Sequence, residues 1–159
     1  MTETDVVQVR DFAAGDLDAV ARLFDAYRQF NGKPSALEEG RAFLQRRLDA
    51  GEATIFVAEG PEATIAGFTL LYATYSSVSL GRVFIVNDLF VDPAYRRQGL
   101  GSALLQAAAR HAEREGAIRL TATTAIENVA TQILNEENGF VRDRSYFVYH
   151  LRTGGAGKA

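Results

Sequence analysis

"LFVDPAYRRQGLGSALLQAA", Leu89 to Ala108, joins an apolar strand-like run to an apolar helix-like run through a turn holding two arginines, a glutamine and Gly-Leu-Gly. A turn between such elements needs only residues that suit the backbone. This one adds positive charge at Arg96 and Arg97 and removes side chains at Gly99 and Gly101. A helix N-terminus presents unpaired N–H groups and the positive end of the helix dipole, which together attract anions. The two glycines would let an anion approach the backbone closely, and arginine forks suit phosphate oxygens. The pattern is not the dinucleotide fingerprint, because Leu104 stands at the third glycine position, and it lacks the Gly-Lys-Ser/Thr ending of a Walker loop. The simpler alternative is an arginine-decorated turn that starts a helix and binds nothing.

The flanking sequence predicts the remaining elements. "VVQVRDF" (Val6 to Phe12) alternates as a strand does. "GDLDAVARLFDAYRQF" carries Leu17, Val20, Ala21, Phe24 and Tyr27 on one helical face. "SALEEGRAFLQRRL" opens with Ser35 and Glu38 at capping-box spacing. "ATIFVAEG" and "TIAGFTLLYATY" form a hairpin around "GPEA", and "RVFIVNDLFV" is a third strand. A helix from Gly99 to Glu115, a strand at "AIRLTATT", a helix from Val129 to Glu137 and a closing strand at "RSYFVYHLR" complete the order. One strand–helix–strand unit therefore sits in a largely antiparallel set. The expected class is α/β (mixed α+β): a mostly antiparallel sheet with helices on both faces. Residues 1–152 read as one domain and 153–159 as a disordered tail.

The 159 residues are 47% hydrophobic and 23% charged, ordinary for one globular domain with a sizeable core. Cysteine is absent, which excludes disulfides, thiolate metal sites and a cysteine nucleophile. The net charge of −3 argues against nucleic-acid binding and suits cationic substrates. No apolar run is long enough to span a bilayer and "MTETDVVQVR" does not read as a secretory signal, so a cytoplasmic protein without a membrane partner is expected. His111 and His150 lack metal-ligand spacing, and no metal is implied. His111 is expected on a helix surface.

Arg96, Gly99 and Gly101 spell R-x-x-G-x-G directly after a strand and into a helix, and "NVATQILNEENGF" (Asn128 to Phe140) follows at a matching separation. Together they resemble the two motifs of the GNAT superfamily of N-acetyltransferases, and the element order resembles that family's acyl-CoA N-acyltransferase fold. The resemblance implies acetyl-CoA as co-substrate. Arg96, Arg97, Gln98, Gly99, Leu100, Gly101 and Ser102 would hold its pyrophosphate, and the strand edge at Leu89, Phe90 and Val91 would hold the pantetheine arm, with Asn128 touching it. A bulge would splay "VNDLFV" from "RLTATT" and leave a slot for the thioester. The resemblance also implies a homodimer.

Direct transfer needs a base, because an alkyl amine with a pKa near 10.4 is mostly protonated at neutral pH. Asp88, in an otherwise apolar strand, is the first candidate, and the Phe90 N–H is the candidate oxyanion donor. A hydrogen-bonded structural aspartate at a bulge is the alternative for Asp88, and Glu127 is a weaker base. Polyamine-type relatives carry an acidic pair where this chain has Asn87-Asp88. Asn135 stands where the family has a tyrosine acid; it donates a hydrogen bond but no proton. Tyr146 or Tyr149 are the candidate replacements. By the same resemblance the first two helices line the acceptor pocket, which brings in Tyr27 and Phe30; Tyr75 is added from the polar, aromatic "YATYSSVS". The expected acceptor is a small primary amine, a polyamine or a peptide amine. The rival expectation, kept open by Asn135, is a non-catalytic acetyl-CoA sensor or interaction module.

Overall fold

The computed structural model describes residues 7–157. Its elements are β1 (Gln8–Asp11), α1 (Leu17–Phe30), α2 (Leu37–Asp49), β2 (Ala53–Glu59), β3 (Ile65–Ser76), β4 (Gly81–Val91), α3 (Leu100–Arg114), β5 (Arg119–Ala122) and α4 (Val129–Glu137). The strands lie in the order β1-β2-β3-β4-β5, antiparallel except for the parallel pair β4 and β5 that α3 connects. This is the mixed, mostly antiparallel sheet expected from the sequence. Val6, expected at the start of the first strand, lies outside the described residues.

Both faces of the sheet are covered, which explains why β2 and β3 read as near-continuous apolar runs. On one face Phe56, Leu71, Phe84 and Val86 pack against Leu100, Leu104, Leu105 and Ala108 of α3. On the other, Ile55, Val57, Phe68 and Leu70 pack against Leu17, Val20 and Leu23 of α1 and Leu44 of α2. Among the described residues no helix is long and apolar enough to cross a membrane.

Three local expectations are corrected. The Ser35–Glu38 capping box does not form: α2 starts at Leu37 without a side-chain cap from its own N-cap residue, Ala36. Instead Asp25, buried on α1, accepts hydrogen bonds from the Ala36 N–H and the Ser35 Oγ, both at 2.7 Å. These bonds hold its carboxyl below the usual range, so the stabilisation is present above ordinary carboxylate pH and is lost as pH falls. Asp25→Ala is expected to cost about 2 kcal/mol by loss of this cap, read as a lowered Tm at neutral pH. His111 is half-buried rather than fully on the helix surface: its ring meets Phe84 at 5.0 Å and Phe56 at 5.5 Å between centroids, and burial lowers its pKa. The closing strand at "RSYFVYHLR" is absent from the sheet; the segment lies outside it and is exposed.

Candidate active site

The register of β3 and β4 pairs Leu70 with Asp88 but Leu71 with Val86, so Asn87 is an extra residue with no partner. A bulge of one residue reverses which face every later side chain takes. Before it, Phe84 and Val86 face α3. After it, Phe90 joins the cluster under α1 and α2, while Leu89 and Val91 pack toward α3. Asp88 shares the parity of Phe90 and so turns toward α1. Pairing of β4 with β5 also ends here, at Val86 with Ala122. Beyond that pair the parallel strands part, and among the described residues no strand lies beside the outer edge of β4 from Asn87 to Val91.

The edge has a defined polarity. The Asp92 N–H donates to the Ala66 oxygen at 2.8 Å, with Val91 opposite Gly67. The antiparallel alternation then makes Phe90 a hydrogen-bonded partner of Phe68 and turns the N–H and C=O groups of Leu89 and Val91 outward. The Arg96 Nε, which donates to the Val91 oxygen at 3.1 Å, reports the same direction. This corrects the reading of Phe90 as oxyanion donor: its N–H belongs to the β3 ladder. The ring of Phe90 lies 6.0 Å from that of Tyr27, and the Arg96 guanidinium lies over it at 5.5 Å.

Asp88 is buried, and among the described residues no cation pairs with it. Burial pushes its carboxyl up to about 6, with a hydrogen bond from the Asn87 Nδ2 at 3.1 Å opposing. Tyr27 and Tyr72 are half-buried, and their hydroxyls are pushed up by burial and then by the charge of Asp88. The structure therefore brings together Asp88, Tyr27 and Phe90 of the expected set. Tyr72, absent from that set, joins them: it follows Leu70 by two residues and shares the face of Asp88. Tyr75, expected in its place, has the opposite parity, pairs with Arg82 near the far end of β3 and is 72% exposed. Phe30 is exposed at the end of α1, and Tyr146 and Tyr149 are exposed on the terminal segment.

The Gly-Leu-Gly turn has unmet hydrogen-bonding capacity. The consecutive N–H groups of Arg97 to Ser102 find no acceptor among the described residues; the next, that of Ala103, bonds the Gly99 oxygen at 3.0 Å. Arg97 and Gly99 both take left-handed backbone, φ 63° and 78°. Successive N–H groups around such turns form anion-binding concavities. The two glycines serve different ends. Gly99 supplies the left-handed conformation and faces open space, whereas a Cβ on Gly101 would lie 2.9 Å from the Leu134 Cδ2. Gly101 thus lets α4 close on α3, which corrects its reading as an opening for the anion. Asn128 caps α4, its Oδ1 accepting from the Thr131 N–H at 3.2 Å. The Asn135 Nδ2 donates to the Thr124 Oγ1 at 2.9 Å and ties α4 to the chain just past β5.

With this geometry in view, comparison with known proteins gives consistent matches. The model of the acetyltransferase (GNAT) family matches residues 17–140. An uncharacterized N-acetyltransferase, YhfO of Bacillus subtilis (strain 168), is 41% identical over 145 residues, which cover 91% of this chain and 97% of that one. A crystal structure of a probable acetyltransferase superposes with a TM-score of 0.87 at 36% identity, covering 93% of this chain and 99% of the other. An aminoglycoside N-acetyltransferase, AAC(6')-Iy in complex with CoA, has a TM-score of 0.79 at 20% identity over 96% of this chain and 99% of its own, a likeness of fold.

Proposed function

The chain belongs to the acetyltransferase (GNAT) family and is an N-acetyltransferase; from that premise we propose that it moves acetyl directly from acetyl-CoA to a small primary amine of the diamine or polyamine class. The observation that carries this reading is the buried Asp88 carboxyl, without a cation partner among the described residues, at the point where β4 and β5 part.

An alkylammonium reaching that point meets the carboxylate and the rings of Tyr27 and Tyr72, a combination that favours a cation. Above about pH 6 Asp88 is ionised and takes the amine's proton, directly or through water. The outward N–H groups of Leu89 and Val91 are the donors available to a developing oxyanion. When bound, acetyl-CoA supplies an activated acetyl thioester. The unpaired N–H groups of Arg97 to Ser102 fit its pyrophosphate, and the open edge at Leu89 and Val91 fits its pantetheine arm. A thiol with a pKa near 8.5 is a tolerable leaving group without an acid, so Asn135 in place of a tyrosine does not bar turnover.

Thiol release from acetyl-CoA, followed with a colorimetric thiol reagent, tests the proposal, and a chain without cysteine adds no background. Across diamines, polyamines, amino acids, aminoglycosides and peptides, release is expected with the first two. Release confined to peptides or aminoglycosides would overturn the acceptor class. Binding of acetyl-CoA with no release on any amine would leave a binding module instead.

A further inference from the structure

The place where β4 and β5 part has two sides, and the buried Asp88, turned toward α1, takes only one of them. On the side of α3 stands a second polar pair. Thr124 lies two residues beyond Ala122, the last residue of β5 to pair with β4. Its Oγ1 accepts from the Nδ2 of Asn135 on α4 at 2.9 Å. α4 is fixed on that side by Leu134, which packs against the α3 cluster, and by the Asn138 Nδ2, which donates to the Ser102 Oγ at 2.9 Å. The Asn135 backbone oxygen accepts from the N–H groups of Asn138 and Phe140, both at 3.0 Å, so the residue is held at its backbone as well.

The pair has donors to spare. A threonine hydroxyl brings one hydrogen and an asparagine amide two. The bond between them uses one of the three, and among the described residues no acceptor takes the others. Turning the amide over reverses the bond and leaves the same number free. Both residues are half-buried, so an acceptor seated here is partly shielded from water. Neither side chain ionises. The charged groups of the surrounding elements are Asp88 of β4, Arg119 of β5, Glu127 before α4, and Glu136 and Glu137 on it, and none is hydrogen-bonded to the pair. Glu136 is held by Arg142 at 3.1 Å. The acceptor that gains most from such donors carries negative charge, because a hydrogen bond to an ionised partner is about twice as strong as a neutral one.

The path of the pantetheine arm identifies that acceptor. The unpaired N–H groups of Arg97 to Ser102 open α3, the open edge of β4 runs back from Val91 to Leu89, and that edge ends at the parting. A thioester laid along this line brings its sulfur to the parting from the side of α3. We propose that Thr124, together with Asn135, receives the departing sulfur as a thiolate, through hydrogen bonds from the Thr124 hydroxyl and the Asn135 amide and without proton transfer. The amine nitrogen bonds the acetyl carbon from the Asp88 side and its proton passes to Asp88. The electron pair of the breaking C–S bond goes to sulfur on the other side. The thiolate takes a proton from water after release, and Asp88 returns its own to water. The inference rests on the transfer reading above and adds the groups that meet the leaving atom.

A thiolate absorbs in the ultraviolet and the chain has no cysteine, so the thiol of bound CoA can be titrated by difference against the protein alone. A free thiol titrates at about 8.5. Bound to the unaltered chain, it is expected to titrate about one pH unit lower. Thr124→Val keeps the shape and removes the hydroxyl, and should bring the midpoint most of the way back; Thr124→Ser should keep it low. Asn135→Leu should raise it as Thr124→Val does. Thr124→Val is also expected to lose about 10-fold or more in kcat with little change in KM for acetyl-CoA. An equal midpoint in the unaltered chain and in Thr124→Val would overturn the inference. So would losses of CoA affinity and Tm in step with kcat, which is how a mere tie between α4 and the end of β5 behaves. No CoA binding by the unaltered chain would remove the transfer reading and this inference with it, whereas CoA bound with its thiol unshifted would remove the inference alone.

Discussion

Asp88→Asn is expected to lower kcat/KM for the preferred amine by about 10²–10⁴-fold, the usual contribution of a positioned base. In the unaltered enzyme kcat/KM should fall as pH drops through about 6, where the buried carboxylate takes up a proton and can no longer accept one from the amine. The residual activity of the variant should lack that limb. The same substitution should stabilise the protein. Burial raises the pKa of Asp88 in the folded chain, so the native state holds the proton more tightly than the unfolded state does. Stability therefore falls as pH rises from the ordinary value of 3.8 to about 6, and the full cost persists above that. The gap corresponds to a cost of about 3 kcal/mol at neutral pH as an upper bound. Thermal unfolding should show Asp88→Asn with a higher Tm than the unaltered chain at pH 7 and little difference near pH 4. A lowered Tm at pH 7 would mark Asp88 as a structural residue of the bulge.

Gly99→Asp is the second large effect. Aspartate and asparagine both tolerate left-handed backbone, and Gly99 faces open space, so either side chain can be added without rebuilding the turn. They differ in charge. A carboxylate placed among the unpaired N–H groups of Arg97 to Ser102 competes with, and repels, a pyrophosphate. Calorimetric titration with CoA should show a loss of about 100-fold or more for Gly99→Asp and a much smaller one for Gly99→Asn. Equal losses would mean that bulk alone matters. No loss in either variant would remove the turn as the pyrophosphate site. Gly101 is a poor position for this experiment, because any side chain there presses on Leu134.

What could be read from the sequence was what residues determine locally. The turn of Arg96 to Gly101 announced the start of α3 because positive charge and glycine have few other uses between a strand and a helix. Asn138-Gly139 marked the end of α4, and the alternation of apolar residues located the strands. What depended on distant partners was misread. Ser35 and Glu38 spell a capping box, but Asp25 of α1 reaches the Ala36 N–H instead. "RSYFVYHLR" has the periodicity of a strand, but among the described residues it pairs with no strand of the sheet, and a pattern in one segment cannot supply a neighbour. The bulge was expected, but the place of the extra residue was not. That offset turned Phe90's N–H away from the open edge and exchanged Tyr75 for Tyr72.

The extra residue at Asn87 has a consequence for heredity. The parting of β4 from β5 and the inward turn of Asp88 come from a backbone count, whereas the Asn87 side chain is exposed and makes one hydrogen bond, to Asp88. Drift in the identity of residue 87 is therefore cheap, while a change in chain length beside it is not. Loss of that one codon would restore an unbroken ladder and send Asp88 to the opposite side of the sheet. A selection scan of substitutions and single-codon deletions across residues 84–91 should tolerate many amino acids at 87 and no deletion.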